Sequence, residues 1–238
     1  MRRLALLAFA ALVVPMAALA GSPRVTVLAA SSLTDVFPAL DHTERYSFAG
    51  SDQLAFQIHQ GAPVDVFAAA SPKFPESLFK AGLVYEPAVF ATNRLVVIVP
   101  RSNPAHIRSV YDLTRHGLRV VVGAVGVPIG DYTRKVLGKL GLNAVLKNIV
   151  SNEPEVRGIV SKIALGEADA GFVYVTDVRS AASKLRTVAI PAKGQPTVKY
   201  EIAVVHSTKH FAAARAFVQL VLGPDGRRDL RRFGFGVP

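Results

Sequence analysis

The stretch Val25-Thr-Val-Leu-Ala-Ala-Ser31-Ser32-Leu-Thr-Asp-Val-Phe37 runs from alternating β-formers into small residues, then through two adjacent serines into an amphipathic segment. Period-two alternation followed by helical spacing describes a strand handing over to a helix, with two uncharged hydroxyls at the junction. The same handover repeats along the chain. Strands are expected over 24–28, 46–49, 64–69, 93–100, 119–123, 148–150, 170–175 and 200–205, and helices over 33–40, 52–60, 74–80, 131–140, 155–165, 210–222 and 225–232. This alternation predicts an α/β fold whose mostly parallel sheets are flanked by helices.

Two places interrupt the pattern. A polar, loop-like Arg101-Ser-Asn-Pro104 follows the run Asn93–Pro100, and the turn-rich Pro191-Ala-Lys-Gly-Gln-Pro196 precedes Tyr200-Glu-Ile-Ala-Val-Val205. They suggest two extended crossings, near Asn93 and Tyr200, between a first lobe of 24–93 plus 201–238 and a second lobe of 94–200. Open α/β sheets bind ligands beyond the carboxyl ends of their strands, so a cleft between the lobes is expected, with Ser31 and Ser32 at its edge.

The segment 1–20 reads as a cleaved export signal: basic Met1-Arg2-Arg3, an apolar run from Leu4 to Val14, and Ala18-Leu19-Ala20 before Gly21. The apolar stretch is short for a span of about 20 residues and contains Pro15. The mature chain is therefore expected in a bacterial periplasm. It has no cysteine, so stability rests on burial even in an oxidising compartment. The formal charge of +11 falls to +9 without Arg2 and Arg3. Export argues against nucleic acid, and the densest basic run, Arg227-Arg228-Asp-Leu-Arg231-Arg232, has helical spacing without aromatics to stack on bases. That run reads as a solvated helix face, and the overall positive charge can aid capture of a small anion at long range without locating a site.

Enzyme signatures are absent or incomplete. There is no G-x-S-x-G elbow, although Gly50-Ser51 follows a strand. Ser77-Leu-Phe-Lys80 matches S-x-x-K inside an amphipathic helix and has no companion motif. The six histidines are scattered, and His206 with His210 lacks a carboxylate pattern for a metal site. Gly123-Ala-Val-Gly126-Val-Pro-Ile-Gly130 lies between strand and helix, yet its spacing fits neither nucleotide loop and no lysine follows. What it retains is a glycine-rich turn able to present backbone N–H groups to one anion.

Ser31-Ser32, Gly50-Ser51, Val127–Gly130 and Pro154-Glu-Val156 each stand where a helix begins, and helix starts expose unpaired amides carrying partial positive charge. Four such starts converging on a cleft would form a cage of neutral donors for a compact, fully ionised oxyanion.

With those residues in hand, the chain resembles the periplasmic molybdate-binding proteins of ABC importers, a branch of the two-lobed type II periplasmic binding fold. The resemblance spans the mature chain through eight motifs in order: Ala29-Ala-Ser-Ser-Leu-Thr34, Phe48-Ala-Gly-Ser51, Gly61-Ala-Pro-Val-Asp-Val-Phe67, Val127-Pro-Ile-Gly130, Glu155-Val-Arg-Gly158, Gly171-Phe-Val-Tyr174, Tyr200-Glu-Ile-Ala-Val-Val205, and Gly223-Pro224 with Phe233-Gly-Phe235. It implies that Ser32 and Ser51 supply donors from one lobe, Ile129 and Val156 backbone amides from the other, and Tyr174 its phenolic O–H. It also implies a monomeric, non-enzymatic carrier with no cofactor, which takes molybdate or tungstate without direct protein–metal bonds and delivers it to a membrane permease.

Several departures from the family pattern stand out. Asp41-His-Thr-Glu-Arg45 is short, Ile129 occupies a position where alanine is frequent, and Asp52 follows Ser51 directly. Asp52 is expected to face outward and cap its helix; Asp65 and Arg157 are expected to support a turn and a helix rather than touch ligand. Receptors for sulfate, phosphate or iron, and a secreted hydrolase using Ser32 or Ser51, remain open at this point.

Overall fold

In the computed structural model, which describes residues 23–238, the opening stretch forms strand β1, Thr26–Ala30. A single 3-10 turn over Ser31–Leu33 then leads to the short helix α1, Val36–Leu40. The expected export signal over 1–20 lies outside the described residues. Strands β2, Arg45–Ala49, and β3, Val66–Ala69, flank β1 in parallel, and each feeds a helix: α2, Ser51–His59, and α3, Lys73–Lys80.

The apolar run around Asn93 divides where a single extended strand was expected. Ala88–Asn93 form β4 in the first sheet, Arg94 intervenes, and Leu95–Pro100 form β5 in a second sheet. That second sheet continues with β6, Val120–Gly123, β7, Ile149–Glu153, β8, Ala170–Tyr174, and β9, Leu185–Val188. Helices α4, Pro128–Leu140, and α5, Val156–Ala164, make its crossovers. Strand β10, Val198–Val204, returns to the first sheet, so Val198–Tyr200 already pair with β4. Helices α6, Phe211–Leu222, and α7, Pro224–Arg232, close the chain.

The sheet orders are β2-β1-β3-β10-β4 and β7-β6-β8-β5-β9. Both are mixed where mostly parallel sheets were expected: β10 is antiparallel to β3 and β4, and β5 to β8 and β9. The connecting strands cause this, because a chain that crosses between sheets enters each one from the opposite end.

Burial holds each half together. Phe37 is wholly buried and packs against Phe90 and Phe217, with the T-shaped Phe37–Phe217 centroids 5.7 Å apart. Each such ring contributes about 1.5–3 kcal/mol, the kind of term a chain without disulfides must rely on. Asp65 does act as a turn support: Thr26 N–H donates to its Oδ2 at 2.7 Å, fixing the start of β1 to the start of β3. Between the sheets, the Gln195 side chain accepts from Leu95 N–H at 3.0 Å and donates to Leu95 C=O at 2.8 Å, so the two connections are pinned together.

Candidate functional site

The parallel strands aim their carboxyl ends at one place. Ala30 at the end of β1 with Ser31 and Ser32 after it, Ala49 at the end of β2 with Gly50 and Ser51 after it, and Ala70 after β3 line a small cavity from the first sheet. Val127, Pro128 and Ile129 after β6, Glu155 and Val156 after β7, and Tyr174 at the end of β8 line it from the second. The cavity measures about 20 Å³, room for a single compact guest and far below the few hundred Å³ of an organic-ligand pocket. All five residues singled out in the sequence, Ser32, Ser51, Ile129, Val156 and Tyr174, are buried on its wall.

Several groups on the wall can donate hydrogen bonds. The residues preceding the four helical starts, Ala30, Gly50, Val127 and Glu155, make no side-chain cap among the described residues. The first amides of α2, α4 and α5 therefore keep their unpaired hydrogens and positive partial charge at the cavity. The sequence makes this possible: Ala30, Gly50 and Val127 have no side-chain acceptor for those amides, and Pro128 at the first position of α4 loses nothing by lacking an N–H. Ser51 Oγ accepts from Ala70 N–H at 3.1 Å, which leaves its own hydrogen to give. Tyr174 Oη is buried and has no partner among the described residues. Burial, reinforced by Tyr200 and Tyr132, pushes its phenol well above the ordinary value, so it remains an O–H donor.

Close approach is obtained with glycine. A Cβ on Gly50 would lie 2.5 Å from Pro154 C=O, so the two halves touch across the cavity there. A Cβ on Gly130 would lie 2.0 Å from Ala124 C=O, and one on Gly123 would lie 2.6 Å from both Gly130 N and Ile129 Cγ2. The bulk of Ile129 is thus accommodated over a glycine at the end of β6, and only its backbone needs to face a guest.

One expectation needs correction and another is extended. Asp52 does not cap α2: as the second helical residue it folds back beside Gly50, its Oδ1 is buried without a partner among the described residues, and it does not line the cavity. Arg157 does more than support its helix. Its Nη2 meets Asp35 Oδ2 at 2.8 Å and its Nε donates to Ser31 C=O at 3.4 Å, tying α5 to the β1–α1 turn across the cleft. Lys73 and Asp131, 3.6 Å apart, link α3 to α4 in the same sense.

Other features stayed hidden in the sequence. Asp177 is buried behind Tyr174, accepting Tyr174 N–H at 3.0 Å through Oδ2. Burial pushes its carboxyl up to about 7, against the pull of Arg157 and the Tyr174 amide. Ser32 Oγ lies 3.0 Å from Tyr200 Oη, which Asn93 Nδ2 approaches at 3.4 Å. The signal was present only as apolar strands containing isolated polar residues. By contrast, Ser77 and Lys80 are exposed on α3. No cluster of His, Cys, Asp or Glu among the described residues could hold a metal ion, and no described helix is long and apolar enough to cross a membrane.

Residues 25–236 match the family described as bacterial extracellular solute-binding protein. The molybdate-binding protein ModA of Mycobacterium tuberculosis is 40% identical over 228 residues, covering 92% of this chain and 86% of that protein. ModA of Escherichia coli is 30% identical over 236 residues, covering 92% of this chain and 91% of that protein. The periplasmic molybdate-binding protein structure from Azotobacter vinelandii superposes with a TM-score of 0.80 at 24% identity over 90% of this chain and 100% of that one, a likeness of fold. A two-lobed α/β architecture, a small donor-lined cavity between its sheets and matches along nearly the whole described chain lead to one placement: the chain belongs to the bacterial extracellular solute-binding protein family, alongside the ModA proteins.

Proposed function

We propose that this protein captures molybdate, and with it tungstate, as a dianion held by neutral hydrogen-bond donors, and delivers it from the periplasm to the permease of an ABC importer. The observation that carries the proposal is Tyr174 Oη, a buried donor with no partner among the described residues, beside the uncapped starts of α4 and α5 and opposite the hydroxyls of Ser32 and Ser51. A tetrahedral oxyanion gives each of these groups an acceptor. The names of the ModA relatives support the choice of anion. In this reading Ser32 and Ser51 grip from the first lobe and Ile129, Val156 and Tyr174 from the second. The mature chain acts as a monomer, and the 93–95 and 189–197 connections flex as the lobes close.

Binding rather than catalysis is favoured because no base is hydrogen-bonded to either serine: among the described residues the cavity is lined by no histidine or lysine, and the hydroxyl partners are Tyr200 and the Ala70 amide. Selection over sulfate follows from size, since a smaller anion leaves buried donors with stretched bonds at about 1–3 kcal/mol each. One observation favours a second reading: among the described residues Glu155 is the sole carboxylate-bearing residue on the cavity wall, and a carboxylate turned inward could accept the proton of hydrogenphosphate. Thermal melts of residues 21–238 with molybdate, tungstate, sulfate and phosphate separate the two. A ligand at 100 times its Kd adds about 2.7 kcal/mol of stability; a shift with phosphate or sulfate alone overturns the molybdate assignment.

A further inference from the structure

Ser32 is useful to an anion only if its hydrogen points into the cavity, and the residues behind it control that direction. Arg94 N–H, which can only donate, meets Asn93 Oδ1 at 2.9 Å. The orientation of the Asn93 amide is thereby fixed, because the atom facing that N–H must be the oxygen. Its Nδ2 then presents hydrogens to Thr176 Oγ1 at 3.0 Å and to Tyr200 Oη at 3.4 Å. Tyr200 has one hydrogen of its own, and burial pushes its phenol well above the ordinary value, so that hydrogen is retained. With an N–H already aimed at its oxygen, Tyr200 gives its hydrogen to Ser32 Oγ, 3.0 Å away. Ser32 in turn is left with a hydrogen that, among the described residues, has no other acceptor, and only what enters the cavity can take it.

We infer that Asn93 and Tyr200 are positioning and specificity-determining residues, which fix the Ser32 hydroxyl as a donor toward the cavity and so favour guests that bring only acceptors. The inference rests on the cleft being an anion site. The chain of hydrogen bonds starts at Asn93, the last residue of β4 before the chain crosses to the second sheet. Donor direction at Ser32 is therefore set from the connection between the lobes. A guest that carries a proton, such as hydrogenphosphate, finds no lone pair at this position, and an unpaired buried donor disfavours it.

A double-mutant cycle read by isothermal titration tests the inference. Tyr200→Phe keeps the ring and removes the hydroxyl; it should weaken molybdate binding about three- to tenfold in the parent and less than about twofold in a Ser32→Ala background. Asn93→Asp keeps the acceptor for Arg94 N–H but replaces the donor facing Tyr200. The chain then reverses, Ser32 donates to Tyr200 and shows a lone pair to the cavity, and the ratio of the phosphate Kd to the molybdate Kd should fall about tenfold. Unliganded melts identify any variant that fails to fold, and the cycle is then read from the other. Equal cost of Tyr200→Phe in both backgrounds, or an unchanged anion ratio in Asn93→Asp, overturns the positioning role. If the parent binds sulfate or phosphate instead of molybdate, the molybdate assignment fails and the same cycle is read with that anion. If the parent binds no oxyanion, both fail.

Discussion

Asp177→Asn should make the protein more stable, and by an amount that depends on pH. The carboxyl is buried behind Tyr174, its Oδ2 takes the Tyr174 N–H, and its Oδ1 has no partner among the described residues. Burial raises its folded value from the ordinary 3.8 to about 7. Between those two values the folded chain holds a proton that the unfolded chain has lost, so stability falls as pH rises. The contribution is fully present below the unfolded value and is gone once the pH has passed the folded one. A gap of about three pH units, at about 1.4 kcal/mol each, sets the total near 4 kcal/mol. Asparagine keeps an acceptor for the Tyr174 amide and cannot ionise. The advantage of Asp177→Asn over the parent in urea denaturation should therefore grow by about 3 kcal/mol between about pH 5 and about pH 8. A difference that stays constant across that interval would mean that Asp177 ionises near its ordinary value, and the argument from burial would be wrong.

Two further outcomes are expected. Tyr174→Phe removes a buried hydroxyl that has no partner among the described residues; calorimetry should find molybdate binding weakened about 10- to 100-fold, while the unliganded melt shows no loss of stability. Gly130→Ala forces a Cβ to within 2.0 Å of Ala124 C=O; because a backbone atom cannot swing aside, urea denaturation should register a loss of about 1–3 kcal/mol or more.

The elements that position the cavity were legible because each couples a short β run to a helix start through small or capless residues. Val25–Phe37 showed both the strand and its serine junction, and Val127–Gly130 showed the turn that lines the cavity from the second sheet. Two strands were not separated from their surroundings. Ala88–Asn93 merges in sequence with the apolar run after it, and only the change of sheet at Arg94 divides them. Leu185–Val188 is a four-residue edge strand whose central Arg186 and Thr187 are exposed, so neither its length nor its pattern announces it. The supports behind the site were out of reach for a different reason. Ser32 meets Tyr200 across 168 positions, and Arg157 meets Ser31 across 126. Such pairings arise from sheet order, which local periodicity does not encode. Asp52 misled because an acidic residue near a helix start suggests a cap, whereas capping requires the position just outside the helix.

The amide of Gln195 holds the outgoing connection through Leu95 and belongs itself to the returning one. Joined in this way, the two cannot slip lengthwise past each other without breaking a paired amide contact. Under the proposed closure the halves would act as two leaves on one pin, with swing permitted and shear resisted, and a bound guest would be registered as a single angle.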